Sequence, residues 1–542
     1  MLGVDLARRG AQRYRDRIAV VVGNESLTYR DVDVMANRIA NVLLGMGYGR
    51  GSRIGLLLNN GIWSLPIDFG CLKAGVARVP LNPRLSLPEQ TRMLAETEVR
   101  LLIHGADLGE RALALAEELD DLTLLSLGPQ QRSHDFDLSV ETTRARSTDP
   151  FVPVEPDDVM LVLYTSGTTG TLKAAQHTQA SWAAIAANIL TNLVSPSRDD
   201  AMLHAASLFH ASGTFLLPYW LRGGRSVILP KFEPETFLDT VERQRVTAIN
   251  LVPTMLGMLL ASDAVRRTDT SSLDSIIYGA SPMPRPLLEH GMEIFGNKFV
   301  QYYGQTEAPL CQTVLTKDDH AEGGELLGSC GHPAVDAEIL LTAEDGSPVA
   351  PGEIGEIRVR APFTMAGYYN APELNAETLT ADGWVRTRDL ARTDERGYLY
   401  LVDRASDMII TGGYNVYPRE VEDVLLEHPT VAECAVVGAP DPTWVEAVTA
   451  FVVPRPDENV DPEKLRAFAR QHLAGYKVPK QIKVVDSIPT SPVGKILHRK
   501  LRDTLWQAES PDSASNSKNR SPRKPRKDEH DGTVRVDPRG DP

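Results

Sequence analysis

The sequence predicts an α/β fold: a large N-terminal domain of helix-covered sheets plus a distorted β-barrel, followed by a small α+β C-terminal domain. Three observations carry this. Between residues 53 and 128 short apolar runs alternate with helical patterns, and the alternation resumes from residue 246. After about residue 325 Gly and Pro become frequent and the strand-like runs shorten. A separate set of helices and strands then occupies residues 407–506. The βαβ rhythm argues for parallel sheet, because parallel strands need a crossover long enough to hold a helix.

The elements follow in order. Arg53 to Leu58 reads as a strand, and an apolar helix runs on to Ala74. Ala77 to Leu81 is a short extended piece. Ser86-Leu87-Pro88-Glu89 is a capping box that opens a helix to Glu98. Val99 to His104 and Leu122 to Leu127 are strands with an Ala/Leu/Glu helix between them. Val246 to Val252, Ser275 to Tyr278 and Phe299 to Tyr303 continue the sheet pattern. Glu356 to Arg360 and Tyr398 to Val402 are the short strands of the barrel-like part. In the last unit, helices at Arg419 to Glu427 and Pro462 to Leu473 accompany strands at Glu433 to Val437, Ala447 to Val453 and Ile482 to Val485. The expected boundaries are 1–402, a hinge at 403–406, 407–506 and a tail at 507–542. The tail is Ser, Pro and charge with little to bury, so disorder is expected.

Composition excludes several classes. The chain has 542 residues, 42% hydrophobic, which is ample core and too long for one compact domain. A net charge of −15 lacks the basic footprint of a nucleic-acid binder. Four dispersed cysteines form no metal-type pair and fit a reducing, cytoplasmic setting. No apolar run is long enough to span a membrane, which leaves peripheral membrane contact and oligomeric state open.

The most telling stretch is YTSGTTGTLK, Tyr164 to Lys173, directly after the apolar run Val159 to Leu163. Thr165, Ser166, Thr168 and Thr169 alternate with Gly167 and Gly170, and Lys173 closes the run. Exposed backbone N–H groups, hydroxyls and a cation make a cradle for an anion such as phosphate. It is not a Walker loop, since Thr171 and Leu172 separate Gly170 from Lys173 and Ala174 follows. The plain alternative is a polar turn with a stray lysine.

Further motifs follow in order: Tyr303-Gly304-Gln305-Thr306-Glu307, Gly383-Trp384 with Thr387-Arg388-Asp389, Asp403-Arg404, Gly412-Gly413-Tyr414-Asn415 and Gly494-Lys495. Together with the phosphate loop, this ordered set resembles the adenylate-forming superfamily of acyl-CoA synthetases, adenylation domains and firefly-type luciferases. The resemblance covers roughly residues 1 to 505. Within it the chain is most like a stand-alone CoA ligase for a fatty or aromatic acid. The resemblance implies two steps: a carboxylate attacks the α-phosphate of Mg-ATP, giving an acyl-adenylate, and coenzyme A then displaces AMP. It also implies a mobile C-terminal lid.

The roles implied are specific. Lys495 is the cation that bridges carboxylate and α-phosphate. Glu307 holds Mg2+, with Thr165 beside it, and Thr306 donates to the α-phosphate. The loop Thr165 to Gly170 and Lys173 cradle the phosphates. Asp389 accepts the ribose hydroxyls and Arg404 adds a donor. Tyr303 stacks on adenine or is a core tyrosine, and Gly304, Gly279 and Ala280 line the base. His210, Gly279 and Ser281 border the acyl pocket, where small residues would leave room. A histidine at 210 lacks the fixed negative charge that amino-acid-activating members use, so the acid expected has no α-amino group. Gly412, Gly413, Tyr414 and Trp384 line the CoA tunnel, and Ser406 is the hinge. An acyl-AMP ligase that loads a carrier protein and a silent nucleotide-binding homologue are the alternatives.

Five positions depart from the family pattern: Leu172-Lys173-Ala174 in the phosphate loop, Ser207 before the pocket histidine, Arg388 where glycine is usual, Ser406 where Lys or Asp is usual, and His498 where many members have arginine. Arg388 places a large cation near the nucleotide or near solvent. Ser406 makes the thioester half less secure than the adenylation half.

Overall fold

The computed structural model describes residues 1–128, 135–166, 172–208, 211–404, 407–411, 414–441, 444–491 and 495–508. Two large sheets form the N-terminal body. The first has nine strands, and six of these are mutually parallel: Ile18–Val22, Arg225–Ile228, Ala201–His204, Ala248–Leu251, Ser275–Gly279 and Phe299–Gln305. Antiparallel strands close both edges, Glu25–Thr28 at one and Ala308–Leu315 with His332–Pro333 at the other. The second sheet has eight strands, and its parallel part contains Ala77–Pro80, Arg53–Leu57, Leu101–Gly105 and Thr123–Leu127. One of its ends is antiparallel, in the order Val159–Ser166, Leu172–Thr178, Gly367–Tyr368.

The strands that are parallel and buried on both faces read as continuous apolar runs, as expected when helices cover both sides. One core cluster draws on both sheets, with Met160 and Leu161 from the second and Met202, Ile277 and Val300 from the first. Trp182, on the helix Gln179–Asn192, joins it. The Ser86 capping box forms, with Ser86 accepting from the Glu89 N–H. Its helix ends at Glu96, short of the expected Glu98. Glu98 has turned to φ +53°, a left-handed conformation that cannot continue a right-handed helix.

Where the Gly/Pro-rich texture predicts barrel-like structure, the described residues form a four-stranded antiparallel sheet. Its strands are Glu338–Thr342, Gly355–Arg360, Val385–Thr393 and Leu399–Arg404. The C-terminal unit is a five-stranded sheet built on the long hairpin Val431–Asp441 and Val445–Pro454. Helices Pro418–Leu426 and Pro462–His472 pack on it around its own core of Val421, Leu425, Val436, Val448 and Leu465.

A buried cation ties the first helices together. Lys73, 1% exposed at the end of the helix Ser64–Ala74, donates to Asn37 at 2.6 Å and also to Asp33, both on the helix Tyr29–Gly45. It lies 3.2 Å from Asp149, which Arg8 of the first helix also grips at 3.0 Å. Burial pushes the Asp149 carboxyl up, but the Arg8 hydrogen bond and the Lys73 charge hold it below the usual range. Breaking such a buried set leaves uncompensated charge. Lys73→Ala is expected to lower unfolding stability by about 3–5 kcal/mol, read as a shift in the denaturant midpoint at unchanged m-value.

Candidate functional site

The threonine-rich run begins at the end of one strand of an antiparallel pair, and Lys173 lies on the other. Val159–Ser166 pairs antiparallel with Leu172–Thr178, so Thr165 lies opposite Lys173 and Ser166 opposite Leu172. Gly167, Thr168, Thr169 and Gly170 lie outside the described residues, as does the Ser166 side chain. Lys173 Nζ sits 5.7 Å from the centroid of the Tyr368 ring. Tyr368 is on the edge strand Gly367–Tyr368, paired with the second strand of the hairpin.

Tyr368 then links the hairpin to Glu307. Its hydroxyl donates to Glu307 Oε1, and burial, with the Glu307 charge, pushes the phenol far above its usual range. Thr306 and Glu307 form the turn between Phe299–Gln305 and Ala308–Leu315. Two more groups from outside that sheet hold this turn. His177 Nε2 lies 2.8 Å from the Thr306 carbonyl, and the Met365 N–H donates to the Glu307 carbonyl at 2.8 Å. Burial drives the His177 pKa down to about 4, so the ring is neutral at ordinary pH and Nε2 carries the proton it donates.

Tyr368 therefore stands between Lys173 of the hairpin and Glu307 of the turn. The Glu307 carboxylate suits Mg2+, an ion that takes one or two carboxylates and fills the rest with phosphate and water oxygens.

Asp389 and Tyr303 are joined directly. The Tyr303 hydroxyl donates to Asp389 Oδ2 at 2.6 Å, and both residues are buried. The Tyr303 ring packs among Cys330, Leu341, Ile357, Ala391 and Leu399, so it occupies a core position between two sheets. Asp389 pairs in register with Arg404, whose side chain lies outside the described residues. Gly304 has no room for a side chain, since a Cβ there would lie 2.1 Å from the Leu310 carbonyl oxygen.

Gly279 has no room for a side chain of its own, because a Cβ there would sit 2.4 Å from the Tyr302 carbonyl oxygen and 2.9 Å from the Tyr302 ring. That ring already covers the glycine. Ala280 follows with φ +66° and Ser281 is half-buried. Phe209 and His210 lie outside the described residues.

The remaining residues divide between the two units. Trp384 is half-buried under Arg360, whose guanidinium lies 4.7 Å from the ring centroid. Tyr414 is on the C-terminal unit, 58% exposed, with its ring stacked on Tyr476 at 4.6 Å. Gly412, Gly413, Ser406 and Gly494 lie outside the described residues. Lys495 is exposed on the same unit, and its backbone is clasped to Ser491, which donates to its carbonyl at 2.6 Å.

Two departures find physical explanations. Arg388 adopts φ +62°, the left-handed conformation that suits the glycine usual there and costs other residues about 1 kcal/mol. Its side chain turns to the surface and pairs with Glu377 at 2.8 Å, so it takes the solvent alternative. His498 replaces an arginine and keeps the charge. Its Nε2 lies 2.6 Å from Glu422 Oε1, and Glu422 also accepts from the Val436 N–H at 2.7 Å. Burial alone would lower the His498 pKa, but the hydrogen bond and charge of Glu422, with Asp407 and Asp403 nearby, raise it to about 9.

Sequence reasoning missed Tyr368 and His177. Tyr368 stands in a Tyr-Tyr pair, and the sequence gives no sign of which ring faces inward. His177 follows Ala174-Ala175-Gln176 in a strand whose period-two pattern is weak.

Known proteins share these features. The AMP-binding enzyme family matches residues 7–369, and the AMP-binding enzyme C-terminal domain matches residues 420–495. A feruloyl-CoA synthase from an Amycolatopsis species is 40% identical over 488 residues, 89% of this chain and 95% of its own. A medium/long-chain-fatty-acid–CoA ligase of Mycobacterium tuberculosis is 38% identical over 511 residues, 92% of this chain and 89% of its own. The crystal structure of ATP-bound MatB from Rhodopseudomonas palustris superposes with a TM-score of 0.85 at 28% identity, covering 94% of this chain and 100% of that one.

The His498–Glu422 pair predicts a pH dependence. The folded pKa lies above the 6.5 of free histidine, so the pair's stabilisation is complete below about pH 6.5 and is lost as pH rises through about 9. His498→Arg keeps its charge throughout. The stability difference between variant and parent, measured by denaturation across this window, is expected to grow in the variant's favour with rising pH.

Proposed function

Since the chain belongs to the AMP-binding enzyme family, we propose that it is an ATP-dependent, AMP-forming carboxylate–CoA ligase acting on a fatty or aromatic acid. The observation that carries this reading is the convergence of the Thr165–Lys173 hairpin, the Thr306–Glu307 turn and Tyr368, with Tyr303, on the strand that enters the turn, bonded to Asp389 of the four-stranded sheet. This is one nucleotide pocket in which each group has a task.

The chemical problem is electrostatic. A carboxylate is a weak nucleophile and must approach a triphosphate of the same sign. Fixed cations and donors that are already oriented lower that barrier without reorganising. Lys173 and the run Thr165 to Gly170 hold the β- and γ-phosphates. Glu307 and Thr165 would hold Mg2+, which when bound would supply neutralising charge at the phosphate oxygens. Thr306 donates to the α-phosphate, while Asp389, acceptor-only when ionised, takes the ribose hydroxyls. The Tyr303 hydroxyl fixes the carboxylate's orientation. Lys495 comes from the C-terminal lid to bridge the attacking carboxylate and the α-phosphate. After the acyl-adenylate has formed and pyrophosphate has left, the lid turns, and Gly412, Gly413, Tyr414 and Trp384 line the path of the incoming thiol, which displaces AMP. Four buried free cysteines suit a reducing, cytoplasmic setting.

Acid-dependent pyrophosphate release tests the first step. Lys495→Ala is expected to reduce it at least about 100-fold while ATP still binds. Tyr368→Phe removes the hydroxyl from Glu307 and is expected to raise the Mg2+ concentration needed for half-maximal rate, with a smaller loss at saturating Mg2+. Formation of a CoA thioester tests the second step. Acyl-AMP that accumulates with CoA present, yet transfers to a carrier protein, would replace CoA as the acceptor. Pyrophosphate release independent of any acid would overturn the ligase reading.

A further inference from the structure

Arginines from three separate segments line one open groove on the large body. Arg13, Arg15 and Arg17 come from the end of the first helix, Gly3–Tyr14, and the turn after it. Arg198 comes from the loop before the strand Ala201–His204, and Arg222 ends the helix Leu216–Arg222. The groove has a volume of about 760 Å3, within the size range of small-molecule sites.

Its place in the fold separates it from the site described above. Arg17 stands directly before the strand Ile18–Val22, and Arg222 two residues before Arg225–Ile228 starts after Gly223-Gly224. These two strands and Ala201–His204 are parallel neighbours, so the groove sits at the N-terminal edge of the nine-stranded sheet. Phe299–Gln305 runs parallel to them in the same sheet and leads into the Thr306–Glu307 turn at the opposite, C-terminal edge.

One arginine builds the groove and the others are left for a ligand. Arg17 Nε donates to the Gly223 carbonyl at 3.3 Å, and its guanidinium also donates to the Arg198 carbonyl and to Asp199, the latter at 3.1 Å. It thereby ties the three segments together, and Asp199 matches its charge. Asp16, the carboxylate among the lining residues, is paired with Arg30. Arg13, Arg15, Arg198 and Arg222 are exposed, and none of them is paired with a carboxylate among the described residues. Helix C-termini favour nearby cations, which accounts for Arg13 and Arg222. Arg222 Nε also donates to the Pro196 carbonyl at 3.1 Å. Neither effect accounts for Arg15 and Arg198 beside them.

Four like charges gathered in one groove, on a chain whose net charge is −15, repel one another, and an anion between them removes that repulsion. A guanidinium is planar, always charged and weakly hydrated, and its fork matches the oxygens of a phosphate. Four such forks exceed what a single phosphate needs.

We propose that this groove is an anion site separate from the nucleotide pocket, and that it takes a molecule bearing two or more phosphate groups, either a free oligophosphate or a phospholipid headgroup. It stands whether or not the ligase reading does.

Two binding arms on the full-length protein test it. One is calorimetric titration with inorganic tripolyphosphate in the absence of Mg2+. The other is co-flotation with phosphatidylcholine vesicles that contain cardiolipin, against phosphatidylcholine alone. The parent protein is expected to bind at least one probe, more weakly as salt rises. Arg15→Gln combined with Arg198→Gln is expected to weaken that binding at least about tenfold. Binding of tripolyphosphate alone supports a free phosphate compound, binding of the cardiolipin vesicles alone supports a headgroup, and binding of both supports the shared chemistry. Binding of neither overturns the proposal, as does unchanged affinity in the double variant. Phenylglyoxal labelling of the parent protein, mapped by peptide mass, needs no variant and so survives a variant that fails to fold. The bound probe is expected to protect Arg15 and Arg198 from the reagent. Equal labelling of both with and without the bound probe overturns the proposal.

Discussion

The Thr306–Glu307 turn is held by groups that do not belong to its own sheet, and the rest of the site depends on that grip. A hairpin turn at a sheet edge has two free backbone carbonyls and a carboxylate that would otherwise sample several rotamers. Here His177 holds one carbonyl, the Met365 N–H holds the other, and Tyr368 holds the carboxylate. His177 and Tyr368 sit on adjacent strands of the eight-stranded sheet, while the turn belongs to the nine-stranded one. The seam between the two sheets therefore sets where the acidic side chain can point. A second seam follows the same logic, since the Tyr303 hydroxyl on one sheet orients Asp389 on another. Reactive groups placed to within a fraction of an ångström need supports that are themselves locked by packing.

Much of this was legible in the sequence, for identifiable reasons. Strands such as Arg53–Leu57 and Leu101–Gly105 are buried on both faces, so they stand out as unbroken apolar runs. The Ser86 capping box announces itself because its side-chain chemistry is local. The motif residues were found because their order along the chain resembles a known family. What stayed hidden was every contact made across a seam. Nothing local to Gly367-Tyr368-Tyr369 says that one phenol reaches a carboxylate 61 residues away in the chain. Nothing local to Gly279 says that the neighbouring strand's tyrosine has already filled the space above it.

The unusual residues fall into two groups. Arg388 keeps the backbone shape of the glycine it stands in for and carries its bulk outward to Glu377, so the strand that holds Asp389 keeps its pairing with Leu399–Arg404. His498 keeps the positive charge of an arginine because the carboxylates of Glu422 and of two aspartates, Asp403 and Asp407, stabilise its protonated ring. Tyr302, a core residue, lays its ring over Gly279 of the adjacent strand, which is why that position has no side chain.

The cysteines carry one practical consequence. Cys71, Cys311, Cys330 and Cys434 are all buried, and burial pushes every one of their thiols up, that of Cys330 to about 11. At neutral pH they are protonated and shielded, so thiol-directed dyes have no native target of comparable reactivity to an introduced surface cysteine. Fluorophores could therefore be attached at one chosen point on the body and one on the small unit without stripping the protein of its own sulfur. The separation between the two units during turnover would then become a directly observable quantity.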